Sequence, residues 1–213
     1  MMAHAHAVSG VLAGALTLPM LDIPVAYRGG YLVACSFFAL FPDLDHRSAR
    51  LSRMLPPVTT LMCQGLTWLS RMMFFATRED RDPKKSNGHR ALTHTIVFAV
   101  AVGMLMAAFL PLTGVPYPGL WALAGTVGCL AHIAGDCCTE HGCPILWPLN
   151  LAGQRWRRLG IPVWFRFKTG KWVEKTLISP MLVVVTSVVL AWQVPGVPNL
   201  VGVIGHAIVE VWD

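Results

Sequence analysis

Apolar residues gather in five runs, at about residues 7–21, 31–42, 96–113, 119–135 and 177–194, with polar stretches between them. Only some reach the ~20 residues that a perpendicular helix needs to cross hydrocarbon. The pattern predicts an all-α fold, a helical membrane bundle of about four or five apolar helices, formed as a single membrane-embedded domain over 1–213. The first two runs are short, and "DIPVAYRGG" (22–30) between them carries the Asp, Pro and paired Gly of a turn, which predicts a helical hairpin or two short spans. "PLTGVPYPG" (111–119) reads as the outer turn of a transmembrane hairpin. "VTTLMCQGLTWLSRMMFFA" (58–76) carries Gln64 and Arg71 on an otherwise apolar helix, so it is expected along the interface or packed on the bundle. "TREDRDPKKSNG" (77–88) reads as a solvated loop. "GQRWRRLGIPVWFRFKTGKWVEK" (153–175) interleaves basic and aromatic residues as a headgroup-level strip does, and the tail 194–213 predicts a short interfacial helix.

Composition agrees with a membrane setting. The chain is 54% apolar and 13% charged, against about 25% charged in an ordinary globular domain. The net charge of +6 comes from Lys and Arg packed into 47–90 and 155–175. Beside apolar spans, such clusters face the cytoplasm and anionic headgroups rather than nucleic acid, which makes membrane lipids the expected partners. The loops 43–95 and 136–176 are therefore placed in the cytoplasm, and the turns 22–30 and 111–119 outside. The six cysteines are scattered and form no disulfide framework. The start "MMAHAHAVSGVLAGALTLP" lacks a basic leader region and is expected to be a retained first span.

That orientation brings four polar groups to one membrane face: His6, the "PDLDH" of 42–46, the "GHRALTH" of 88–94 and the "HIAGD" of 132–136. His132 and Asp136 are spaced i, i+4, on one helix face and one turn apart. His89 and His94 flank a helix start, with Thr93 a candidate N-cap. Asp43 and Asp45 can face one point if the chain after Pro42 is extended. Imidazoles with carboxylates suit zinc, manganese or iron, and so many groups exceed what one ion uses, so a metal pair is the expected partner of these carboxylates. His4 and His141 are expected to be solvated, His206 to sit in the interfacial tail, Asp22 to belong to the outer turn, and Cys137, Cys138 and Cys143 to be buried thiols.

The series "HAVSG" (6–10), "FPDLDH" (41–46), "GHRALTHT" (88–95) and "HIAGDCCTEHGCPILWPL" (132–149) resembles the YdjM family of inner-membrane proteins described as predicted metal-dependent hydrolases. That family in turn looks like a membrane-embedded relative of zinc-dependent phospholipases C and single-strand-specific nucleases. The resemblance implies metal ligands at His6, Asp43, His89, His94, His132 and Asp136, with Asp45 and His46 close by. It also implies inner-membrane localisation. The soluble relatives carry a tryptophan at the mature N-terminus of a trinuclear zinc site, where this chain has Met1 and Met2.

The expected activity is hydrolysis of a phosphoester in a lipid or lipid-linked substrate, by water activated at one or two divalent ions, with zinc first and manganese or magnesium as alternatives. Asp45 is expected to act as a general base or to orient a ligating histidine, and Arg90 to bind a substrate phosphate. The basic strip at Arg155, Arg157, Arg158, Arg166 and Lys168 would draw anionic headgroups. A metal-dependent amidase or peptidase is the competing reading, weakened by the absence of "HExxH". A non-enzymatic metal-binding protein or transporter is the third, weakened because the polar ligands lie at run ends rather than at mid-membrane.

Overall fold

In a computed structural model, which describes residues 1–49, 51–86 and 88–193, six α-helices are joined by short 3-10 turns and one long loop. They are α1 (Ala3–Thr17), α2 (Val25–Phe38), α3 (Val58–Thr77), α4 (Ile96–Phe109), α5 (Pro118–Cys137) and α6 (Ser179–Trp192). No strand forms among the described residues; isolated bridges join Thr139 to Phe167, Cys143 to Leu159 and Leu151 to Gln154. Four helical segments, Val25–Asp45, Ile96–Thr113, Pro118–Cys137 and Glu174–Trp192, are long and apolar enough to cross a membrane. The run expected as a first span forms the 15-residue α1. The tail 194–213, with His206 and the interfacial helix expected there, lies outside the described residues.

Helix α5 is the centre of the bundle, packed against α1, α2 and α4, while α6 lies on α1. Backbones approach closely where small residues meet. A Cβ at Gly10 of α1 or at Gly128 of α5 would lie 2.5 Å from the Cys35 carbonyl oxygen of α2, so both helices press on one point of α2. Close backbone approach of this kind holds helices together in lipid, where burial of apolar surface no longer drives association. Gly128→Ala is expected to cost about 1–3 kcal/mol through overpacking. A drop in the thermal midpoint of the detergent-solubilised protein checks it.

The paired glycines of the expected 22–30 turn lie inside α2, which begins at Val25. In a membrane every backbone amide must be satisfied within its own segment, and that demand outweighs the modest cost of Gly in a helix. The turn shrinks to the residues before Pro24, and its neighbour Tyr27 packs edge-on against Tyr117, with ring centroids 4.7 Å apart. The turns before α2 and before α5 therefore share one end of the bundle.

At the other end, the loop expected to be solvated is tied down. Asp82, buried, accepts backbone N–H bonds from Glu79, Arg155 and Trp156 at 2.8, 3.1 and 3.0 Å, and Glu79 pairs with Arg155. Trp156 stacks on Trp147 against Phe74, and both indoles donate to Thr77. The basic and aromatic block thus divides: Trp156 is core, whereas Trp164 and Trp172 are exposed as an interfacial strip requires.

Candidate metal centre

Four chain segments meet at the end of α5. His6 sits on the first turns of α1. Pro42 starts a 3-10 helix, Phe41–Asp45, that carries Asp43 and Asp45. His94 closes the 3-10 turn Leu92–His94 just before α4. His132 and Asp136 occupy the last turns of α5, whose continuation to Cys137 keeps both on one face. His6, His94, His132 and Asp136 are fully buried, and the Asp43 side chain, 25% exposed, is the member that solvent reaches.

The donor atoms converge. His94 Nε2 lies 3.2 Å from His132 Nε2 and 3.4 Å from Asp136 Oδ2. His132 Nε2 lies 3.7 Å from Asp43 Oδ1 and 3.9 Å from Asp136 Oδ2, and His94 Nε2 lies 3.9 Å from Asp43 Oδ1. Ligands of a tetrahedral ion with bonds of about 2.0–2.1 Å stand about 3.3–3.4 Å apart, a spacing that the His94 and Asp136 atoms approach most closely. The donors fall into two groups, His94, His132 and Asp136 in one and His6, Asp43 and His132 in the other, each with its atoms within 4.8 Å of one another.

The hydrogen bonds fix the tautomers. His132 Nδ1 donates to the Ala39 carbonyl at 2.7 Å, which leaves Nε2 a lone pair. The Thr93 hydroxyl donates its proton to Asp45 Oδ2 at 2.6 Å, so its oxygen accepts from His94 Nδ1 at 2.9 Å, and the lone pair of His94 also sits on Nε2. Two lone pairs then face each other across 3.2 Å with two carboxylate oxygens beside them. A cation would satisfy that arrangement: a shared proton would serve the imidazoles alone, whereas a metal ion would also engage the carboxylate of its group. His6 stacks on His132 with ring centroids 3.7 Å apart; both its ring nitrogens are buried without a hydrogen-bond partner, and Nε2 lies 3.3 Å from Asp136 Oδ1. Buried polar atoms left unpaired are rare, so His6 also presents a free donor to an ion.

The remaining residues of interest lie around this core. Asp43 and Asp45 diverge, because the 3-10 turn replaces the extended chain expected there: Asp43 joins the cluster, and Asp45 turns away to His89 Nδ1 (2.7 Å) and Thr93. Thr93 does not cap α4; Thr95 does, accepting from the Phe98 N–H. His89 stands outside both donor groups, His6 with Asp43 and His132, and His94 with His132 and Asp136, its ring centroid 5.6 Å from that of His94. His46 is further out, with Nδ1 bonded to Ser48. Arg90 has backbone φ of 53°, a left-handed conformation that costs a non-glycine residue, and its guanidinium binds Asp136 Oδ2 at 2.8 Å and Thr139 at 3.3 Å. The main-chain nitrogen of Met1 lies 2.5 Å from Asp136 Oδ1. Hydrogen bonding with Cys137 and burial hold the Cys143 thiol above its usual range, and burial raises Cys138, so these sulfurs stay protonated and outside the His and Asp groups.

The orienting role of Thr93 carried no separate signal in the sequence beyond its place next to His94. Thr93→Val keeps roughly the side-chain size and removes the hydrogen-bond link by which His94 is held to Asp45. Metal affinity is expected to fall about 10–100-fold, read by competition with a chromogenic chelator.

Two cavities open beside the cluster. One, of about 350 Å³, is lined by Asp43, His46, His89, Arg90 and Thr169 among others. The second, of about 430 Å³, is an apolar groove between α1, α5 and α6 lined by Leu12, Leu16, Ala131, Ala134, Met181 and Leu182 among others. Met1 borders both.

The family model described as "YdjM inner membrane protein" matches residues 1–197. The chain is similar to "Inner membrane protein YdjM" of Escherichia coli (strain K12) and of Shigella flexneri, each 32% identical over 124 residues. The aligned part is 55% of this chain and 46% of each relative, so the chain spans about half the length of the curated relatives it matches. No solved structure matches.

Proposed function

This chain belongs to the YdjM inner membrane protein family, and from that premise we propose that it is a membrane-bound, metal-dependent hydrolase acting on a phosphoester of a lipid or lipid-linked substrate. The observation that carries the reading is the convergence of two unprotonated imidazole nitrogens and two carboxylate oxygens at 3.2–3.9 Å. His94, His132 and Asp136 would hold one ion, and His6, Asp43 and His132 form the donor group that would take a second. Two imidazoles in near-tetrahedral spacing favour zinc. When bound, such an ion supplies Lewis acidity that brings the pKa of a water toward neutrality and offsets charge on the phosphoryl oxygens.

The chain's own residues divide the rest of the work. Asp45, both of whose oxygens are already engaged, orients His94 through Thr93 and fixes the Nδ1 proton of His89. His89 is a quarter exposed and lines the mouth, so its Nε2 is placed to carry a proton to or from the reacting group, in the base-and-orienter arrangement of acid–base catalysis. Arg90, anchored on Asp136, turns its charge to the same mouth to hold a phosphate. The apolar groove next to the mouth suits an acyl or prenyl chain, which is what favours a lipid over a soluble ester. The test is a screen of phosphomonoesters, phosphodiesters and phospholipids with purified protein. Hydrolysis that chelator abolishes and zinc restores is expected; hydrolysis indifferent to chelator contradicts the reading.

A further inference from the structure

The basic residues of 153–175 do not form one uniform strip. Arg155 pairs with Glu79, and Arg166 Nε donates to the Ile161 carbonyl at 2.7 Å, so both have structural partners. Among the described residues, no carboxylate or carbonyl partners Arg158. Its guanidinium instead lines a cavity of about 350 Å³ whose other walls are His89, Arg90, His141 and Thr169. No acidic side chain lines that cavity. Glu140, 3.8 Å from His141 Nδ1, stays outside it. Arg90 and Arg158 also form one wall of a neighbouring cavity of about 250 Å³ that adds Lys85, again with no acid.

Two guanidiniums around one cavity repel each other unless an anion sits between them. Consistent with this, covering by neighbouring protein first, and the charge of Arg90 second, lower the pKa of Arg158. Arg90 is not free to move away, because Asp136 and Thr139 hold its guanidinium and a left-handed backbone sets its direction. The cavity shares His89, Arg90 and Thr169 with the mouth of the metal centre, so a group bound in one lies next to the other.

We propose that Arg158, with Arg90 and His141, forms a phosphate-binding subsite beside the metal centre, and that Arg158 is a substrate-binding residue. The proposal rests on the phosphoester reading above and adds a residue and a binding mode to it. Planar, forked guanidinium donors match a tetrahedral oxyanion, and His141 and the Thr169 hydroxyl, which line the same cavity, add further donors.

The test compares wild type with Arg158→Gln and Arg158→Lys, each full-length in lipid nanodiscs and each checked for metal content. Inorganic phosphate is titrated by calorimetry. Arg158→Gln is expected to bind it about tenfold more weakly than wild type, Arg158→Lys to recover part of the loss, and metal content to stay equal in all three. Nanodiscs doped with phosphatidic acid that weaken phosphate binding in wild type, compared with phosphatidylcholine alone, identify a lipid headgroup as the natural occupant. Unchanged phosphate binding identifies a free phosphate, and both results support the subsite. Equal affinity in wild type and Arg158→Gln, or no phosphate binding by metal-loaded wild type, overturns it. Failure of the metal reading shows separately, as absent metal in wild type.

Discussion

Replacing His132 with Ala is expected to abolish metal binding and hydrolysis together. His132 is the residue common to both donor groups, and its Nε2 has contacts with His94, Asp43 and Asp136. Its Nδ1 is committed to the Ala39 carbonyl, so no other orientation of the ring presents a donor. The loss in affinity should exceed the ~100-fold upper end expected for a residue that only orients a ligand, which sets His132→Ala apart from Thr93→Val. His4→Ala is the control. His4 contacts Ser179 and belongs to neither donor group, and that variant should keep its metal and its activity. Metal analysis by mass spectrometry and a chelator-sensitive assay on the same preparations read both outcomes. A His132→Ala protein that retains metal and rate would remove the ligand from the scheme.

Asp136→Ala is expected to be the most destabilising single change at the centre. Asp136 is fully buried, pairs with Arg90 at 2.8 Å and sits within 3.3–3.9 Å of three imidazoles. Removing the carboxylate leaves a partly buried guanidinium without its charge partner, a change that approaches the ~3 kcal/mol lower end for breaking a buried pair, because Arg90 also reaches the cavities at the mouth. Loss of a metal ligand adds a second, separable cost, because an ion that binds only the folded state stabilises it by mass action. Unfolding with chelator present isolates the first cost. Under that condition the double variant Asp136→Ala, Arg90→Ala should be more stable than Asp136→Ala alone, since it no longer buries an unpaired charge. Equal stability of the single and double variants would show that Arg90 finds another partner.

Much of this centre was legible in the chain because periodicity and spacing report directly on helices. The i, i+4 spacing of His132 and Asp136 needs only that α5 run on to Cys137, and a continuous apolar pattern from 119 to 135 already requires that. The runs at 96–113 and 177–194 likewise correspond to membrane-length helical segments. What local pattern did not reveal was set by contacts between distant segments. Asp43 and Asp45 look alike in "FPDLDH", and a five-residue 3-10 turn, rather than an extended chain, sends one to the cluster and the other to Thr93 and His89. Gly29 and Gly30 read as a turn until the backbone demands of a membrane segment are weighed. Asp82 in a highly charged loop looks solvated, yet three backbone amides, two of them more than seventy residues away, hold it in the core. The separation of Arg158 from Arg155 has the same origin, since Glu79, far along the chain, claims Arg155, whereas Arg166 is held locally by the Ile161 carbonyl.

The apolar surroundings bear on mechanism as well as on location. Burial of His6, His94, His132 and Asp136 leaves Asp43 as the point of contact with solvent, so water enters beside the one carboxylate that faces the mouth. A low-dielectric lining strengthens each charge interaction inside it. It also makes the cluster intolerant of half-measures, since each donor left without a cation carries its full desolvation cost.

The most direct measurement is X-ray absorption at the zinc edge of purified protein reconstituted with one equivalent of zinc. The account predicts a first shell of nitrogen and oxygen at about 2.0–2.1 Å with imidazole outer-shell scattering and no sulfur, lost in His132→Ala. A protein that binds no zinc while remaining folded, or a shell containing sulfur from Cys137 or Cys143, would contradict it.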